Sequence, residues 1–342
     1  MRTAFRPILL LASGLLLSFQ LMAAEAGWRQ LRIPGATPDA SPTVVALYYP
    51  TEATARTTAM GPFTVQAAIQ SAPEDKFKGL ILLSHGIGGT ELGHSSLAEA
   101  LARSGYLVAA IRHPGDNWQD QSLLKQGANA YFTERPRQVS RVIDALLQDP
   151  QWKDRIASDA QGPRIGAVGH SAGGYTVLAL AGGQADLSRV RTHCESERAA
   201  DPIFCGVNRN APSAAVPPTT SVLPSLRDPR VRGVVALAPA GVHFTASSLA
   251  EIRIPTQIYE AEQDRFLVPR FHAEWVAQNM PAAQLVRVPN AWHFAFMDTP
   301  ATAIPTDDGD IRADPPGFDR KAFLARLGHE IPAFFDKALP AP

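Results

Sequence analysis

The sequence predicts an α/β fold: a mostly parallel, doubly wound sheet with an antiparallel hairpin at its N-terminal side and a disulfide-bearing loop insertion. Apolar runs of strand length alternate with stretches of helical periodicity, which is the pattern of a parallel sheet covered by helices. A Gly-x-Ser-x-Gly motif joins one such run to a helix-forming segment. Residues with catalytic chemistry follow the ends of predicted strands, where parallel sheets bind ligands: His85, His113, Ser171, Asp264 and His293.

The predicted elements follow in chain order. Residues 28–33 and 43–49 are β-branched and aromatic runs that predict the hairpin, and a further strand is expected near 63–65. The apolar runs predict strands at 79–84, 106–111, 164–169, 231–237, 254–259 and 284–288. Helices are predicted from Ser96, with a Ser96–Glu99 capping box, and around 139–146, 175–181, 269–279 and 319–335.

Residues 1–26 have the pattern of a secretory signal peptide. Arg2 and Arg6 precede a short apolar run, and an A-x-A-like cleavage site follows near Ala24 or Ala26. An uncleaved membrane anchor is the alternative, but the run is short for a membrane span. We therefore expect an exported protein, periplasmic or extracellular, with no membrane span after cleavage. Residues 27–342 are expected to form one domain with an insertion at about 183–230.

Composition and cysteine content narrow the class of protein. The 342 residues carry 32 basic and 32 acidic side chains, so nothing in the charge favours nucleic acid as a partner. The two cysteines, Cys194 and Cys205, lie close together inside the insertion. In an exported chain such a pair predicts a disulfide, with two free thiols as the alternative.

Ser171 is the predicted nucleophile. The strand, sharp turn and helix around Gly169-x-Ser171-x-Gly173 are the context in which this motif forms a nucleophile elbow. Small residues are needed two positions before and after the serine because the strand and the helix nearly touch there. The alternative is a glycine-rich turn with a solvated serine.

A serine nucleophile needs a base, and the base needs a group that orients it. Among the downstream histidines, His293 follows the last predicted strand. Asp264 follows the strand before it, with Glu260 and Glu262 as rivals in the same loop. The other histidines fall in predicted helices, in the insertion or in a loop: His193, His243, His272 and His329.

Two backbone N–H groups are expected to bind the developing oxyanion. One is that of Ala172, directly after the nucleophile, and the other is that of Ile87 in the glycine-rich turn after strand 79–84. Candidates for the wall of the substrate pocket are His113, His170, Trp118 and Trp292. The histidines are scattered, so no metal site is predicted and no cofactor is expected.

These motifs together resemble the α/β-hydrolase-fold serine esterases. Within them the chain is most similar to a bacterial secreted group labelled predicted dienelactone hydrolase, akin to platelet-activating-factor acetylhydrolases. The resemblance rests on residues 83–89 (LSHGIGG), 113–115 (HPG), 169–175 (GHSAGGY), 238–240 (APA), 291–294 (AWHF) and 314–320 (DPPGFDR).

The chain departs from both relatives at the site. Dienelactone hydrolases use a cysteine where this chain has Ser171. The acetylhydrolases place their acid after the strand that here ends in Ala238-Pro239-Ala240, so Asp264 must serve instead.

The resemblance implies a serine carboxylic-ester hydrolase acting on a small-molecule ester or lipid with a small or medium acyl group. A lipase or phospholipase A2-type hydrolase is the alternative within the class. A catalytically silent fold that binds an acyl ligand is the alternative of another class.

Overall fold

A computed structural model describes residues 24–207 and 221–340. The predicted signal peptide lies outside the described residues except for its last three. Part of the predicted insertion, residues 208–220, lies outside them as well.

The described chain alternates strands and helices. The strands are β1 (Glu25–Ile33), β2 (Thr43–Thr51), β3 (Arg56–Met60), β4 (Phe63–Ile69), β5 (Leu80–Ser84), β6 (Leu107–Arg112), β7 (Ser158–Asp159), β8 (Gly162–Pro163), β9 (Ile165–His170), β10 (Val231–Leu237), β11 (Thr256–Ala261), β12 (Ala283–Val288), β13 (Pro305–Thr306) and β14 (Gly309–Asp310). The helices are α1 (Ser95–Arg103), α2 (Ser122–Lys125), α3 (Ala128–Gln148), α4 (Ala172–Ala181), α5 (Leu187–Ser196), α6 (Pro202–Val207), α7 (Ala246–Ala250), α8 (Ala273–Asn279) and α9 (Arg320–Ala338).

Ten strands form one sheet in the order β12-β11-β10-β9-β5-β6-β2-β1-β4-β3. The pairs from β12 through β6 are all parallel. β2 then runs antiparallel to both β6 and β1. The predicted fold class, with its N-terminal hairpin, is therefore confirmed. The sequence reasoning missed β3, which pairs antiparallel with β4 and extends the sheet beyond the hairpin.

Helices cover both faces of this sheet, and the side chains of β5 show how. Leu80 and Leu82 pack into one apolar cluster with residues of α3, α4 and α8. Ile81 and Leu83 point the other way, into a second cluster with residues of α1 and α9. Since successive side chains of a strand face opposite sides, a continuous apolar run is what a sheet covered on both faces requires.

The structure differs from the predicted capping box at α1. The helix begins at Ser95, and its N-cap, His94, makes no capping side-chain hydrogen bond. Glu99 accepts a hydrogen bond from the backbone N–H of Gln66 on β4 instead. Ser96 donates from its own N–H to Asp298. A tertiary contact thus replaces the local one, which sequence spacing cannot reveal.

The insertion also differs from the predicted loop, because its described part contains two helices, α5 and α6. The Cys194–Cys205 disulfide joins these two helices, as predicted. Asp186 caps α5 by accepting a hydrogen bond from the N–H of Ser188.

The predicted helix 269–279 is also broken, into a single 3₁₀ turn (Pro269–Phe271) and α8. Within residues 24–207 and 221–340, no helix is long and apolar enough to cross a membrane.

Candidate active site

Ser171 occupies a sharp turn between β9 and α4. Its φ of 58° lies in the left-handed region, which costs energy for any residue with a Cβ. The turn is possible because its flanks are glycines. A Cβ on Gly169 would lie 2.0 Å from Gly173 O, and one on Gly173 would lie 1.9 Å from Ser84 O. The structure therefore shows the close approach of strand and helix that the motif predicts.

The glycine-rich loop after β5 lies against this serine. A Cβ on Gly86 would be 3.2 Å from Ser171 Cβ, so the backbone of residue 87 follows directly beside Ser171. Ala172 is the first residue of α4, and the first N–H groups of a helix have no acceptor within it. The N–H groups of Ile87 and Ala172 thus lie on two segments that flank Ser171.

A buried network fixes the position of this loop. Asp116, fully buried after β6, accepts a hydrogen bond from Gly88 N at 2.8 Å. Its other carboxylate oxygen accepts from Tyr131 Oη at 2.7 Å and forms an ion pair with Arg135. Arg135 also donates to the carbonyl oxygen of His85. Burying both charged groups of this ion pair costs desolvation free energy. The hydrogen bonds to Gly88, Tyr131 and His85 offset that cost.

His293 and Asp264 are brought together by the loops after β12 and β11. Nδ1 of His293 donates to Asp264 Oδ2 at 2.7 Å. Asp264 Oδ1 accepts from the N–H groups of Phe266 and Leu267, at 2.8 and 2.7 Å. The carboxylate is therefore held from both sides, and the imidazole presents Nε2 as its remaining nitrogen. Ser171 and His293 line the same cavity.

The rival acids and bases lie elsewhere. Glu262 is exposed and accepts a hydrogen bond from Asn290 N. Glu260 is buried beside Arg287, and burial raises the pKa of its carboxyl. His193 and His272 each donate from Nε2 to one oxygen of Asp201, at 2.9 and 3.0 Å. Of the two other downstream histidines, His243 is buried beside Phe132, and His329 is exposed on α9.

His170 connects the elbow to the histidine loop. Its Nε2 donates to the carbonyl oxygen of His293 at 3.0 Å, and the two rings lie 4.8 Å apart. Burial, with the nearby charge that His293 gains when protonated, holds the pKa of His170 well below its ordinary value. Burial also lowers the pKa of the neighbouring His94 to about 3. Both rings are therefore neutral near pH 7.

Two cavities meet at Ser171. The small one, of about 90 Å³, is lined by Ala172, Ala240, Phe132, His243, Phe204 and Leu267 among others. The large one, of about 860 Å³, is mostly apolar and carries His293, His170, Trp28, Phe63, Met297 and Ile311. Ser171, Ile87, Leu124 and Phe266 line both, so they form the boundary between them.

The other pocket candidates divide between the cavity and its surroundings. Trp118 lines the large cavity with 61% of its surface exposed, and its backbone N–H donates to Gly89 O. His113 is fully buried beneath the loop instead, bonded to Ser84 Oγ and Gln138 Oε1, which corrects its expected place on the pocket wall. Trp292 is not among the described residues that line either cavity, and its ring packs under the guanidinium of Arg265 at 4.0 Å.

Sequence reasoning missed the residues that support the site. Asp116 follows a strand end in the same loop as His113, so the rule used for the other candidates also applied to it. Arg135 lies inside α3 and Phe204 inside α6, and their positions at the site depend on contacts across the fold. Over the described ranges, no group of three or more His, Cys, Asp or Glu side chains is placed to hold a metal ion.

Comparison with known proteins adds two findings. A family model described as "Alpha/beta hydrolase family" matches residues 80–304, about two thirds of the chain. The solved structure of a ferulic acid esterase from Streptomyces cinnamoneus is similar with a TM-score of 0.60 at 20% sequence identity. The similarity covers 93% of this chain and 92% of that one, which at this identity establishes a shared fold.

Proposed function

Because the chain belongs to the alpha/beta hydrolase family, we propose that it is a serine carboxylic-ester hydrolase that acts on small or medium acyl esters. The observation that carries the proposal is the joint placement of three groups. Ser171 lies on a strained turn, His293 lines the same cavity, and Asp264 binds Nδ1 of that histidine at 2.7 Å.

In the proposed reaction, Ser171 Oγ attacks the ester carbonyl carbon while Nε2 of His293 takes the hydroxyl proton. The Asp264 carboxylate stabilises the imidazolium and keeps its orientation. The N–H groups of Ile87 and Ala172 donate to the oxyanion of the tetrahedral intermediate, and loss of one such donor costs about 100- to 1000-fold in kcat. The intermediate collapses, and the alcohol leaves with the proton from His293.

The acyl-enzyme is then hydrolysed by the reverse sequence. Water attacks the acyl carbonyl as His293 takes one of its protons, and His293 returns that proton to Ser171 Oγ as the second tetrahedral intermediate collapses. The carboxylic acid is released and the site is restored. Every proton is accounted for by His293, so the chain's own residues suffice for the steps described.

The test is hydrolysis of p-nitrophenyl acetate, butyrate, octanoate and palmitate, with Ser171→Ala as the matched variant. We expect turnover of the short esters and a loss of at least about 10³-fold in the variant. Labelling of the wild type by a fluorophosphonate, absent in Ser171→Ala, identifies the nucleophile independently of substrate. A silent fold that binds an acyl ligand predicts no labelling and no turnover.

Two related activities are separate arms of the same assay. The resemblance to acetylhydrolases of phospholipids and the apolar lining of the large cavity favour a lipid alcohol as one candidate, which predicts activation by micelles. Because the structurally similar protein from Streptomyces cinnamoneus is a ferulic acid esterase, a ferulate ester is the other substrate to try. Turnover that rises toward palmitate would support the lipase alternative.

Export is part of the proposal and has its own test. Glu25 and Ala26 are the first two residues of β1, and they pair with Thr51 and Pro50 of β2. Cleavage after Ala24 therefore keeps β1 whole. Cleavage after Ala26 would remove two of its residues. We expect the secreted protein, analysed by intact mass and N-terminal sequencing, to begin at Glu25.

A further inference from the structure

We propose that Phe204, on the disulfide-linked helix α6, determines the acyl-chain length that the site accepts and limits it to about four carbons. This inference rests on the proposed esterase activity and specifies which part of an ester enters which cavity.

The chemistry of the reaction assigns the two cavities. His293 must return its proton to the oxygen of the leaving alcohol, so the alcohol occupies space next to His293. Of the two cavities that meet at Ser171, the large one is lined by His293. The acyl group extends from the carbonyl carbon on the other side of the serine, into the small cavity beside Ala172 and Ala240.

The size of the small cavity limits the acyl group. An apolar cavity of about 150 Å³ holds benzene, with its six carbons. The cavity here measures about 90 Å³, which on the same scale holds roughly three or four carbons. Its walls are mostly apolar, and the polar side chains among them are those of Ser171, Tyr131 and His243. Burial lowers the pKa of His243 to about 3, so that ring is neutral at pH 7. The lining therefore suits a short aliphatic chain.

Phe204 closes the wall of this cavity that is contributed by the insertion. Its ring lies 5.6 Å from that of His243 and 4.7 Å from that of His272, centre to centre. The part of the wall next to Ser171 is formed by other residues. One of them is Ala240, whose backbone N–H donates to Ser171 O at 3.1 Å. Phe204 is 6% exposed and packs among these rings, which hold its side chain in position.

The backbone that carries Phe204 is also held in place. The next residue, Cys205, is bonded to Cys194 on α5. Asp201, which directly precedes α6, is fully buried and binds both His193 on α5 and His272 before α8. The disulfide and His193 thus tie α6 to α5, His272 ties it to the segment before α8, and the wall acts as a rigid stop.

The experiment compares kcat/KM for p-nitrophenyl butyrate and octanoate in the wild type, Phe204→Ala and Phe204→Leu. In the wild type we expect octanoate to be at least about tenfold worse than butyrate. Each methylene that gains a buried site raises kcat/KM by about fourfold. We therefore expect the octanoate-to-butyrate ratio to rise at least tenfold in Phe204→Ala and by a smaller factor in Phe204→Leu.

Trp118→Ala is the matched control, because it removes an aromatic side chain from the large cavity. It should leave the octanoate-to-butyrate ratio within about twofold of the wild type. A wild type that accepts octanoate as well as butyrate would overturn the inference. So would an unchanged ratio in Phe204→Ala, or in Phe204→Leu where the alanine variant does not fold.

Fluorophosphonate labelling separates this failure from failure of the proposed function. A wild type that is labelled at Ser171 but shows the same ratio in every variant has the esterase site without the stop. A wild type that is neither labelled nor active refutes the proposed function, and the chain-length inference is refuted with it.

Discussion

The substitution Asp264→Asn tests the orientation of the proposed base more sharply than removal of the side chain would. Asp264 Oδ1 accepts two backbone N–H groups, from Phe266 and Leu267, while Oδ2 accepts Nδ1–H of His293. An asparagine must keep its oxygen toward the two N–H donors. Its NH₂ group therefore points at His293, where a donor now faces a donor.

The imidazole relieves this conflict by changing its tautomer. Nδ1 becomes the acceptor of the new amide and the proton moves to Nε2, the nitrogen that must take the proton of Ser171. Where a serine hydrolase has this arrangement, the same substitution lowers kcat by about 10⁴-fold, equivalent to about 5.5 kcal/mol of transition-state stabilisation. The fold itself should survive, because the two backbone hydrogen bonds at Asp264 Oδ1 are retained.

The assay is steady-state hydrolysis of p-nitrophenyl butyrate, with a thermal melt of each protein. Glu262→Gln is the matched control, since Glu262 lies in the same loop but is exposed and bonds only to a backbone N–H in the described contacts. We expect it to keep at least half of the wild-type kcat. Retention of more than about 10% of kcat by Asp264→Asn would refute the tautomer argument and the assignment of Asp264.

Three further substitutions test the support of the site and the core. Asp116→Asn leaves the buried Arg135 without its carboxylate, so urea unfolding should show a stability about 3 kcal/mol lower. It also weakens the hydrogen bond from Gly88 N, so kcat should fall about 10²-fold in steady-state kinetics. Gly173→Ala places a Cβ 1.9 Å from a β5 carbonyl oxygen and should cost at least about 3 kcal/mol in a melt. Gly206→Ala, whose Cβ would have no atom of the described residues within 4 Å, should not. Burial raises the pKa of Glu99 to about 7, above its unfolded value of 4.5, so the folded state binds the extra proton and stability falls as pH rises through that window. Glu99→Gln should therefore raise stability by up to about 2 kcal/mol at pH 8 but not at pH 4, as measured by urea unfolding.

The parts of the fold that the sequence predicts well are those decided by local pattern. The strand β5 is a continuous apolar run because both of its faces are covered, and Gly169 is required because a Cβ there would meet the backbone of Gly173, four positions later. His293 and Asp264 were chosen because each follows a predicted strand, and parallel strands bring their carboxyl ends to one edge. The structure places these two side chains in direct hydrogen-bond contact.

The parts that sequence reasoning missed depend on distant partners. Ser96 and Glu99 have the spacing of a capping box, yet their partners are Asp298, some two hundred positions away, and Gln66 on β4. His113 has the position of a pocket residue but is satisfied beneath the loop by Ser84 and Gln138. Local propensity gives no information on which buried polar group will find which partner.

The same reasoning explains why substrate preference could not be derived from the motifs. The residues proposed as nucleophile, base and acid come from the strand ends of the sheet, so their placement follows from the fold class. The wall of the small cavity comes from Phe204 in the insertion, whose position depends on the Cys194–Cys205 disulfide and on the contacts of Asp201. A change in the insertion can therefore alter the acyl group that fits without moving the residues proposed to react. The two proposals thus assign chemistry and specificity to separate parts of this chain, and substitutions at Phe204 should change the chain-length ratio while Ser171 remains reactive toward fluorophosphonate.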